Sequence, residues 1–363
     1  MKVLYMTNLP VPYRMAFFEE LGKKVDLTVA FERKSATNRE QSWLVDHADG
    51  FKAIFLKGKP VGEEDGFCPE ICKVIRKGKY DLVIVGVYHT PTAMLAIEYM
   101  RLHKIPYMIS SDGGFVKDDV RLKHKIKAHY MTGANGYFSP SACSDDYIVH
   151  YGADPKKICR YPFTSMRETD IPQYEDVDRS YYRKKIGITE PEMILGIGQF
   201  IHRKGWDILI QAVAQIDRNI AVVIVGGEAP SDYKKLCDDH GLKHIYFENF
   251  KDKKTLANYY RAADITILPT REDIWGLVVN ESLSYGVPVI TTDRCNAGME
   301  LIEEGKTGSI VPVDQVIELR DAIVKAFNKP YDRKACVDRM KSFTIEKMAE
   351  IYYQYMCKEI TSK

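Results

Sequence analysis

The stretch that decides the fold is Pro269-Thr270-Arg271-Glu272-Asp273-Ile274-Trp275-Gly276-Leu277-Val278-Val279-Asn280-Glu281-Ser282-Leu283-Ser284-Tyr285-Gly286-Val287-Pro288-Val289-Ile290. It begins at the end of an apolar run, passes through a loop with carboxylates, and starts a helical pattern at Gly276. Gly286 and Pro288 then end that pattern before another apolar run. Strand, helix and buried strand in this order predict a βαβ unit with parallel strands.

The same alternation continues on both sides of this stretch. In the first half we predict strands at 3–7, 26–31, 81–87, 107–110 and 136–139, with helices at 13–23 and 92–102. In the second half we predict strands at 194–198, 221–225, 244–247, 265–268 and 289–291, with helices at 205–215, 232–239, 254–263 and 278–285. Two doubly wound α/β sheets follow from this repetition.

Residues 161–183 separate the two halves. They are polar, contain Pro162 and Pro172, and lose both the helical and the strand periodicity, which is typical of a linker. We predict a first domain over 1–165, a linker over 166–185, a second domain over 186–343 and a last helix over 344–363.

The composition excludes several classes of protein. The 363 residues correspond to about two domains of roughly 150 residues each, and 45% hydrophobic residues are enough for two buried cores. With 52 Lys and Arg against 50 Asp and Glu, the chain lacks the basic field that binds nucleic acid. No run approaches the roughly 18 apolar residues of a membrane span and no secretory leader is recognised, so we expect a cytoplasmic protein.

Two further patterns argue against a metal or a disulfide framework. The eight cysteines are scattered and form no Cys-x-x-Cys pair, which favours reduced structural thiols. Asp176 and Asp178 match a metal-binding Asp-x-Asp by letters only, because they lie in the linker. We therefore predict no metal site.

The loop and helix start around Gly276 predict an anion site. The backbone N–H groups of Gly276 and Leu277 begin a helix and are free to face a phosphate, and a glycine lets the backbone approach a ligand closely. Asp273 and Glu281 stand eight residues apart and can bracket a ligand at this helix start. The alternative is that both acids only cap and solvate the helix.

A second block supports the first. In Gly196-Ile197-Gly198-Gln199-Phe200-Ile201-His202-Arg203-Lys204-Gly205, a glycine at a strand end precedes two cations. Gly198 permits close backbone approach, and Arg203 with Lys204 can neutralise a diphosphate. Both blocks follow strands of one predicted sheet, where ligands bind at the carboxyl ends.

The first half offers three candidate residues at strand ends. Asp112 precedes Gly113 and can face a ligand, or it can form an ordinary Asx turn. His89 is its rival for a catalytic or acceptor-binding role, or a plain helix-entry residue before Pro91. Arg14 is a candidate for an acceptor phosphate, with capping or solvating of the first helix as the alternative.

The stretch 117–129 mixes cations with apolar residues. Its members are Lys117, Arg121, Lys123, Lys125 and Lys127, among Val120, Leu122 and Ile126. Such a run is usually a solvated helix face, but it also suits an anionic membrane surface. A peripheral contact with the inner face of a membrane therefore stays open.

The spacing Asp273-x7-Glu281, with Gly286-Val287-Pro288 after it and Arg203-Lys204 upstream, resembles the retaining GT-B glycosyltransferases of the group 1 family, which carry a carboxylate-x7-Glu signature. By this resemblance Glu281 holds the nucleotide ribose, Asp273 contacts the donor sugar, and the basic pair clamps the diphosphate. The sequence departs from the family where Asp273 replaces the usual Glu and where Asp112 stands in place of a frequent histidine.

The resemblance implies two Rossmann-like domains facing a cleft, with the last helix crossing back to the first domain. It implies metal-independent transfer, with retention, from a nucleotide diphosphate sugar, UDP-sugar favoured, to a glycan or lipid-linked acceptor in cell-surface polysaccharide synthesis. Asp112 and Asp273 are its candidate catalytic residues, and no cofactor is expected beyond the donor substrate. Two alternatives stay open: a sugar-nucleotide-binding scaffold without catalysis, and a GT-B sugar-nucleotide epimerase.

Overall fold

The computed structural model describes residues 1–35 and 50–361. The chain divides into two compact α/β units. Unit 1 comprises Met1–Arg167 and Phe343–Lys363, and unit 2 comprises Glu168–Ser342.

Unit 1 is built on a seven-stranded parallel sheet. Its strands are β1 (Lys2–Thr7), β2 (Asp26–Phe31), β3 (Lys52–Phe55), β6 (Leu82–Val85), β7 (Tyr107–Ser110), β8 (Gly136–Ser139) and β9 (Ile158–Arg160), and β4 (Lys59–Val61) and β5 (Asp65–Phe67) form a separate antiparallel hairpin. The sheet order is β3-β2-β1-β6-β7-β8-β9. Central strands such as β6 are buried at every position, as parallel strands covered on both faces require.

Six α-helices complete the part of unit 1 that the structure describes. They are α1 (Pro12–Gly22), α2 (Glu70–Gly78), α3 (Pro91–Leu102), α4 (Arg121–Met131), α5 (Ala142–His150) and α14 (Ile345–Thr361). The last of them, α14, packs against α1, so the end of the chain returns to unit 1 as the resemblance implied. Tyr352 of α14 stacks on Phe138 of β8 with ring centroids 3.7 Å apart.

Unit 2 repeats the architecture with six parallel strands in the order β12-β11-β10-β13-β14-β15. These strands are β10 (Glu192–Ile197), β11 (Ile220–Val225), β12 (Ile245–Glu248), β13 (Ile265–Leu268), β14 (Val289–Thr292) and β15 (Gly308–Val311). The helices are α6 (Arg179–Lys185), α7 (Trp206–Val213), α8 (Ser231–Asp239), α9 (Lys253–Ala262), α10 (Leu277–Ser284), α11 (Asn296–Leu301), α12 (Val316–Asn328) and α13 (Arg333–Met340). The predicted class, two doubly wound α/β sheets, is confirmed.

Part of the predicted linker over 166–185 is helical. Helix α6 lies inside it, and the Asp178 carboxylate caps this helix by accepting the N–H groups of Ser180 at 3.0 Å and Tyr181 at 3.3 Å. Arg183 then ties the helix to unit 2 by donating to the Asp264 carboxylate at 2.6 Å. A helix of seven residues rich in Arg and Lys shows too little apolar periodicity to be recognised in the sequence.

A buried glutamate joins the hairpin of unit 1 to its sheet. Glu32, which follows β2, is 4% exposed and accepts hydrogen bonds from the Thr90 hydroxyl at 2.5 Å and the Gly66 N–H at 2.8 Å. Thr90 also caps α3 by accepting the Ala93 N–H. Burial raises the pKa of the Glu32 carboxyl to about 7, although the bonds from Thr90 and Gly66 oppose the shift.

This shift predicts how stability changes with pH. The folded protein binds the Glu32 proton more tightly than the unfolded chain does. Protonated Glu32 therefore stabilises the fold fully below about pH 4.5, and this stabilisation is lost as the pH rises to about 7. The unfolding free energy falls by roughly 3 kcal/mol over this range. Urea unfolding of wild type and Glu32→Gln between pH 4.5 and 8 should show the difference in their unfolding free energies moving by that amount in favour of the variant. A difference independent of pH would contradict the assignment, and Glu318→Gln, at an exposed position, is the control.

Candidate functional site

The first turn of α10 is shaped by Gly276. This residue has φ +103° and ψ +66°, a conformation that side-chain-bearing residues rarely adopt. A Cβ at this position would also lie 2.7 Å from the Cys295 Sγ atom. The backbone therefore turns sharply into α10, where the N–H groups of Leu277 and Val278 have no acceptor within the helix.

The loops after β10 and β13 are bound to each other. The Arg203 carbonyl oxygen accepts the Arg271 N–H at 2.8 Å and the Thr270 hydroxyl at 2.9 Å. Gly205 permits this approach, since a Cβ there would lie 2.0 Å from the Pro269 carbonyl oxygen. The structure thus brings the two sequence blocks together at the carboxyl edge of one sheet.

The opposite side of the Asp273 loop is held by the start of α11. The Asp273 N–H donates to the Arg294 carbonyl at 2.8 Å, and the Asn296 side-chain amide donates to the Ile274 carbonyl at 2.9 Å. The loop is therefore fixed from two sides, and the Asp273 carboxylate is buried at a defined position.

Two cations converge on that carboxylate. The Lys204 ammonium lies 2.5 Å from one Asp273 oxygen, and the Arg203 guanidinium lies 3.7 Å from the other. Arg203 also donates to the Glu272 carbonyl at 2.6 Å. The Lys204 side chain is largely buried, whereas the Arg203 side chain is 44% exposed. Lys204 is therefore neutralised by Asp273, and Arg203 remains the accessible cation.

Glu281 lies one helical turn into α10. Its carboxylate accepts the Tyr260 hydroxyl at 2.9 Å, and the Tyr260 ring stacks on Tyr285 with centroids 5.1 Å apart. Burial, followed by the Glu281 charge, raises the pKa of Tyr260 well above its ordinary value. Tyr260 therefore acts as a permanent donor that orients the Glu281 carboxylate, a partner that the sequence alone did not indicate.

Gly198 ends β10 beside this group. Its φ is +150°, and a Cβ there would lie 3.3 Å from Cε of Lys204, so the glycine leaves room for the lysine side chain. A Cβ on Gly226, after β11, would lie 1.9 Å from the Gly198 carbonyl oxygen. Gly226 is thus part of the same close packing.

In unit 1, the buried Arg14 forms an ion pair with the half-buried Asp112. Arg14 is 8% exposed, and its guanidinium also donates to the Thr7 hydroxyl at 2.5 Å and the Tyr13 hydroxyl at 3.2 Å. Burial alone would lower the pKa of Arg14, but Asp112, Tyr13 and Tyr5 together outweigh it, and the pKa is raised well above its ordinary value. Arg14 is therefore not a solvated residue of the first helix, and Asp112 does not form an Asx turn.

Three tyrosines hold the end of β7 that carries Asp112. The Tyr352 hydroxyl bonds Ser110 Oγ at 2.7 Å, the Tyr161 hydroxyl donates to the Ser111 carbonyl at 2.7 Å, and the Tyr13 hydroxyl donates to Asp112 at 3.3 Å. The Ser111 hydroxyl, not Asp112, forms the local turn by accepting the Gly113 N–H at 3.2 Å. Asp112 therefore has a fixed carboxylate whose charge is shared with Arg14.

His89 lies apart from this group. It is exposed in the turn before α3, and its ring meets Tyr88 edge-on at 5.9 Å. Within the described residues its imidazole forms no hydrogen bond or ion pair. The structure thus brings Arg14 and Asp112 together, but not His89.

The described ranges, 1–35 and 50–361, contain no group of three or more His, Cys, Asp or Glu side chains arranged to hold a metal ion. Over the same part of the chain, no helix has both the length and the apolar character needed to span a membrane.

Solved structures identify the fold. HepE from Anabaena in complex with UDP matches this chain with a TM-score of 0.77 at 17% identity, over 100% of both chains. The protein has the GT-B fold of glycosyltransferases.

The sequence comparison points to one family for the second half of the chain. Residues 178–343 match the family described as Glycosyl transferases group 1. D-inositol 3-phosphate glycosyltransferase of Corynebacterium glutamicum is 31% identical over 181 residues, which cover 46% of this chain and 42% of that protein. Lipopolysaccharide glucosyltransferase WaaG of Escherichia coli is 25% identical over 206 residues, 54% of each chain. The chain spans about half the length of these relatives.

The close contact at Gly276 predicts a specific loss of stability. Gly276→Ala should cost roughly 1–3 kcal/mol of unfolding free energy through backbone strain, and more through the clash with Cys295. The matched control is Gly187→Ala, because Gly187 has φ +82° but no neighbouring atom within 4 Å of its Cβ position. Urea unfolding should show Gly276→Ala to be the more damaging change by at least about 1 kcal/mol. Equal losses would exclude the clash.

The Arg14–Asp112 pair predicts strong coupling. Asp112→Asn leaves a buried guanidinium without its partner and should lower the unfolding free energy by about 3 kcal/mol, and Arg14→Met should act similarly. The double variant should lose much less than the sum of the two single losses, which a double-mutant cycle measures. Additive losses would show that the two side chains do not depend on each other.

Proposed function

We propose that the protein is a retaining, metal-independent glycosyltransferase. It transfers a sugar from a UDP-sugar to a glycan or lipid-linked acceptor in cell-surface polysaccharide synthesis, in the cytoplasm and at the inner face of the membrane. The family of residues 178–343 and the names of the relatives, two glycosyltransferases, support the activity. The UDP bound by HepE supports the choice of nucleotide.

One observation carries this proposal: Arg203, Lys204 and Asp273 converge beside the first turn of α10. Free N–H groups at a helix start and two cations form a site for a diphosphate. The Arg203 guanidinium is the accessible cation and meets the phosphates first. Fixed positive groups stabilise the charge that develops on a leaving diphosphate, which is the task a divalent metal performs in other enzymes.

Lys204 and Asp273 act as a pair in this scheme. The ammonium is 2.5 Å from the carboxylate, so a bound diphosphate competes with Asp273 for the same positive charge. When the phosphates pair with the Lys204 ammonium, the Asp273 carboxylate is released and can accept a hydrogen bond from a hydroxyl of the donor sugar. The donor itself thereby exposes the side chain that recognises its sugar.

Glu281 completes the donor site. Its carboxylate is half-buried and oriented by the Tyr260 hydroxyl, and a carboxylate oxygen is an acceptor suited to the ribose hydroxyls. Gly198 leaves the space in which Lys204 and the phosphates meet.

In unit 1 the acceptor meets Asp112 and Arg14 at the carboxyl ends of β7 and β1. The fixed carboxylate orients an acceptor hydroxyl, and His89, exposed after the end of the neighbouring β6, contacts the acceptor from solvent.

A second candidate function is a sugar-nucleotide-binding scaffold without catalysis. The ion pair favours it in one respect, because Arg14 already occupies the carboxylate that would otherwise act on the acceptor.

The test of the function is incubation of the protein with labelled UDP-sugars, a lipid-linked or glycan acceptor, and excess chelator. Transfer of label without added metal, into a product of retained anomeric configuration, is the expected result. Binding of UDP without transfer to any acceptor would favour the scaffold. A rate that is lost with chelator and restored by magnesium or manganese would contradict the mechanism.

The Lys204–Asp273 pair predicts opposite responses to two substitutions. Lys204→Ala should weaken UDP binding by roughly 1.5–3 kcal/mol, the contribution of a hydrogen bond to a charged group. Asp273→Asn should keep or strengthen UDP binding, since it releases the lysine, yet it should abolish transfer. Calorimetry gives the affinities, and Lys235→Ala on the exposed surface of α8 is the control. Weaker binding of UDP by Asp273→Asn would show that the pair does not compete with the phosphates.

A further inference from the structure

Helix α4 and the loop before it form an unusual surface on unit 1. Met131 is the one buried residue among the eleven of α4, so the helix lies on the outside of its unit. Four large apolar side chains of residues 116–126 are exposed: Val120 by 73%, Leu122 by 70%, and Val116 and Ile126 by 43% each. Single exposed apolar residues are ordinary, but four within eleven residues form a patch that needs a partner.

Not every cation of this segment is available to a partner. The Asp119 carboxylate accepts Lys127 at 2.6 Å and Lys123 at 3.2 Å, and also the Tyr151 hydroxyl. The Lys127 ammonium lies 4.6 Å from the centre of the Tyr151 ring. Lys127 therefore fastens α4 to unit 1, and Lys123 is partly neutralised.

Arg121 and Lys125 differ from these two lysines. They stand four residues apart on one side of α4, where two like charges repel each other. No carboxylate among the described residues pairs with either of them. Leu122 and Ile126 form the adjacent ridge, with Lys123 on its far side. The exposed face is thus an apolar ridge with cations on both sides. An anionic partner would relieve the repulsion between Arg121 and Lys125.

We propose that residues 116–126 dock unit 1 onto an anionic lipid bilayer. Leu122, Ile126 and Val120 enter the headgroup region, while Arg121 and Lys125 pair with lipid phosphates. An apolar ridge flanked by cations is the pattern of a helix that lies in the membrane interface, where apolar burial and electrostatic attraction add together. An acidic protein would pair with the cations, but the four exposed apolar side chains also call for an apolar medium, which a bilayer supplies.

This inference rests on the proposed function in one respect, the lipid-linked acceptor. Val116 follows Asp112 by four residues, so the segment that carries the acceptor-side carboxylate leads directly into the docking surface. An acceptor held in the bilayer would then be presented to the same edge of unit 1.

The test is sedimentation of the full chain with vesicles, in the absence of nucleotide. Vesicles of phosphatidylglycerol and phosphatidylcholine should bind the protein, and vesicles of phosphatidylcholine alone should not. Two double variants, Leu122→Ser with Ile126→Ser and Arg121→Gln with Lys125→Gln, should each lower the partition coefficient by about tenfold or more. All four residues stand at exposed positions of α4, so circular dichroism and melting should stay at wild-type values.

The control is Leu102→Ser with Lys77→Gln, since Leu102 is 79% exposed and Lys77 is an exposed lysine, both outside the surface. Its binding should equal that of wild type. Failure of the wild type to bind any vesicle, or equal binding by the surface variants, would overturn the proposal. UDP affinity, measured on the same samples, should not change in any of them, so loss of vesicle binding and failure of the donor site are separate results.

Discussion

The site of unit 2 depends on how closely its loops approach one another. A Cβ on Gly205 would meet the Pro269 carbonyl at 2.0 Å, and one on Gly226 would meet the Gly198 carbonyl at 1.9 Å. Because these positions carry no side chain, the Arg203 carbonyl can accept both Arg271 and Thr270. The lysine next to Arg203 then reaches a carboxylate 69 residues further along the chain. A steric condition on the backbone thus determines the electrostatics of the site.

Both units place a cation and a carboxylate at the carboxyl ends of their strands, but the two pairs differ. A charged side chain that is withdrawn from water stays charged only when it is paired. The buried cation of each unit therefore has a carboxylate partner: Asp112 for Arg14 and Asp273 for Lys204. In unit 1 the Arg14 guanidinium is enclosed, with Asp112, Thr7 and Tyr13 around it. In unit 2 the enclosed pair has an additional cation, Arg203, that remains exposed. At the strand ends, unit 2 therefore has an exposed cation beside its enclosed pair, which the Arg14–Asp112 pair of unit 1 lacks.

The sequence was sufficient for what depends on local patterns. Buried parallel strands are near-continuous apolar runs, so both sheets could be predicted, and Gly276 could be recognised because a helix begins there. The tyrosines around Asp112 gave no such signal. Tyr161 and Tyr352 lie 50 and 242 residues from the serines they bond, and only the fold brings them together. The same holds for Glu32, whose partner Thr90 is 58 residues away, and a glutamate after a strand otherwise resembles a surface residue.

The structure adds most to the sequence in showing which charged side chains are paired. The near balance of 52 cations and 50 acids excluded a general basic field, yet it could not tell which charges are neutralised within the fold. Two carboxylates make that distinction. Asp273 removes Lys204 from the cations that a ligand meets first, which leaves Arg203, and Asp119 removes Lys127, which leaves Arg121 and Lys125. In both places the basic residues of one short segment have different roles. Lys204 and Lys127 pair with an acid inside the fold, whereas Arg203, Arg121 and Lys125 face solvent. A protein of almost no net charge can therefore carry two separate exposed groups of cations, each defined by the acid that neutralises a neighbouring lysine.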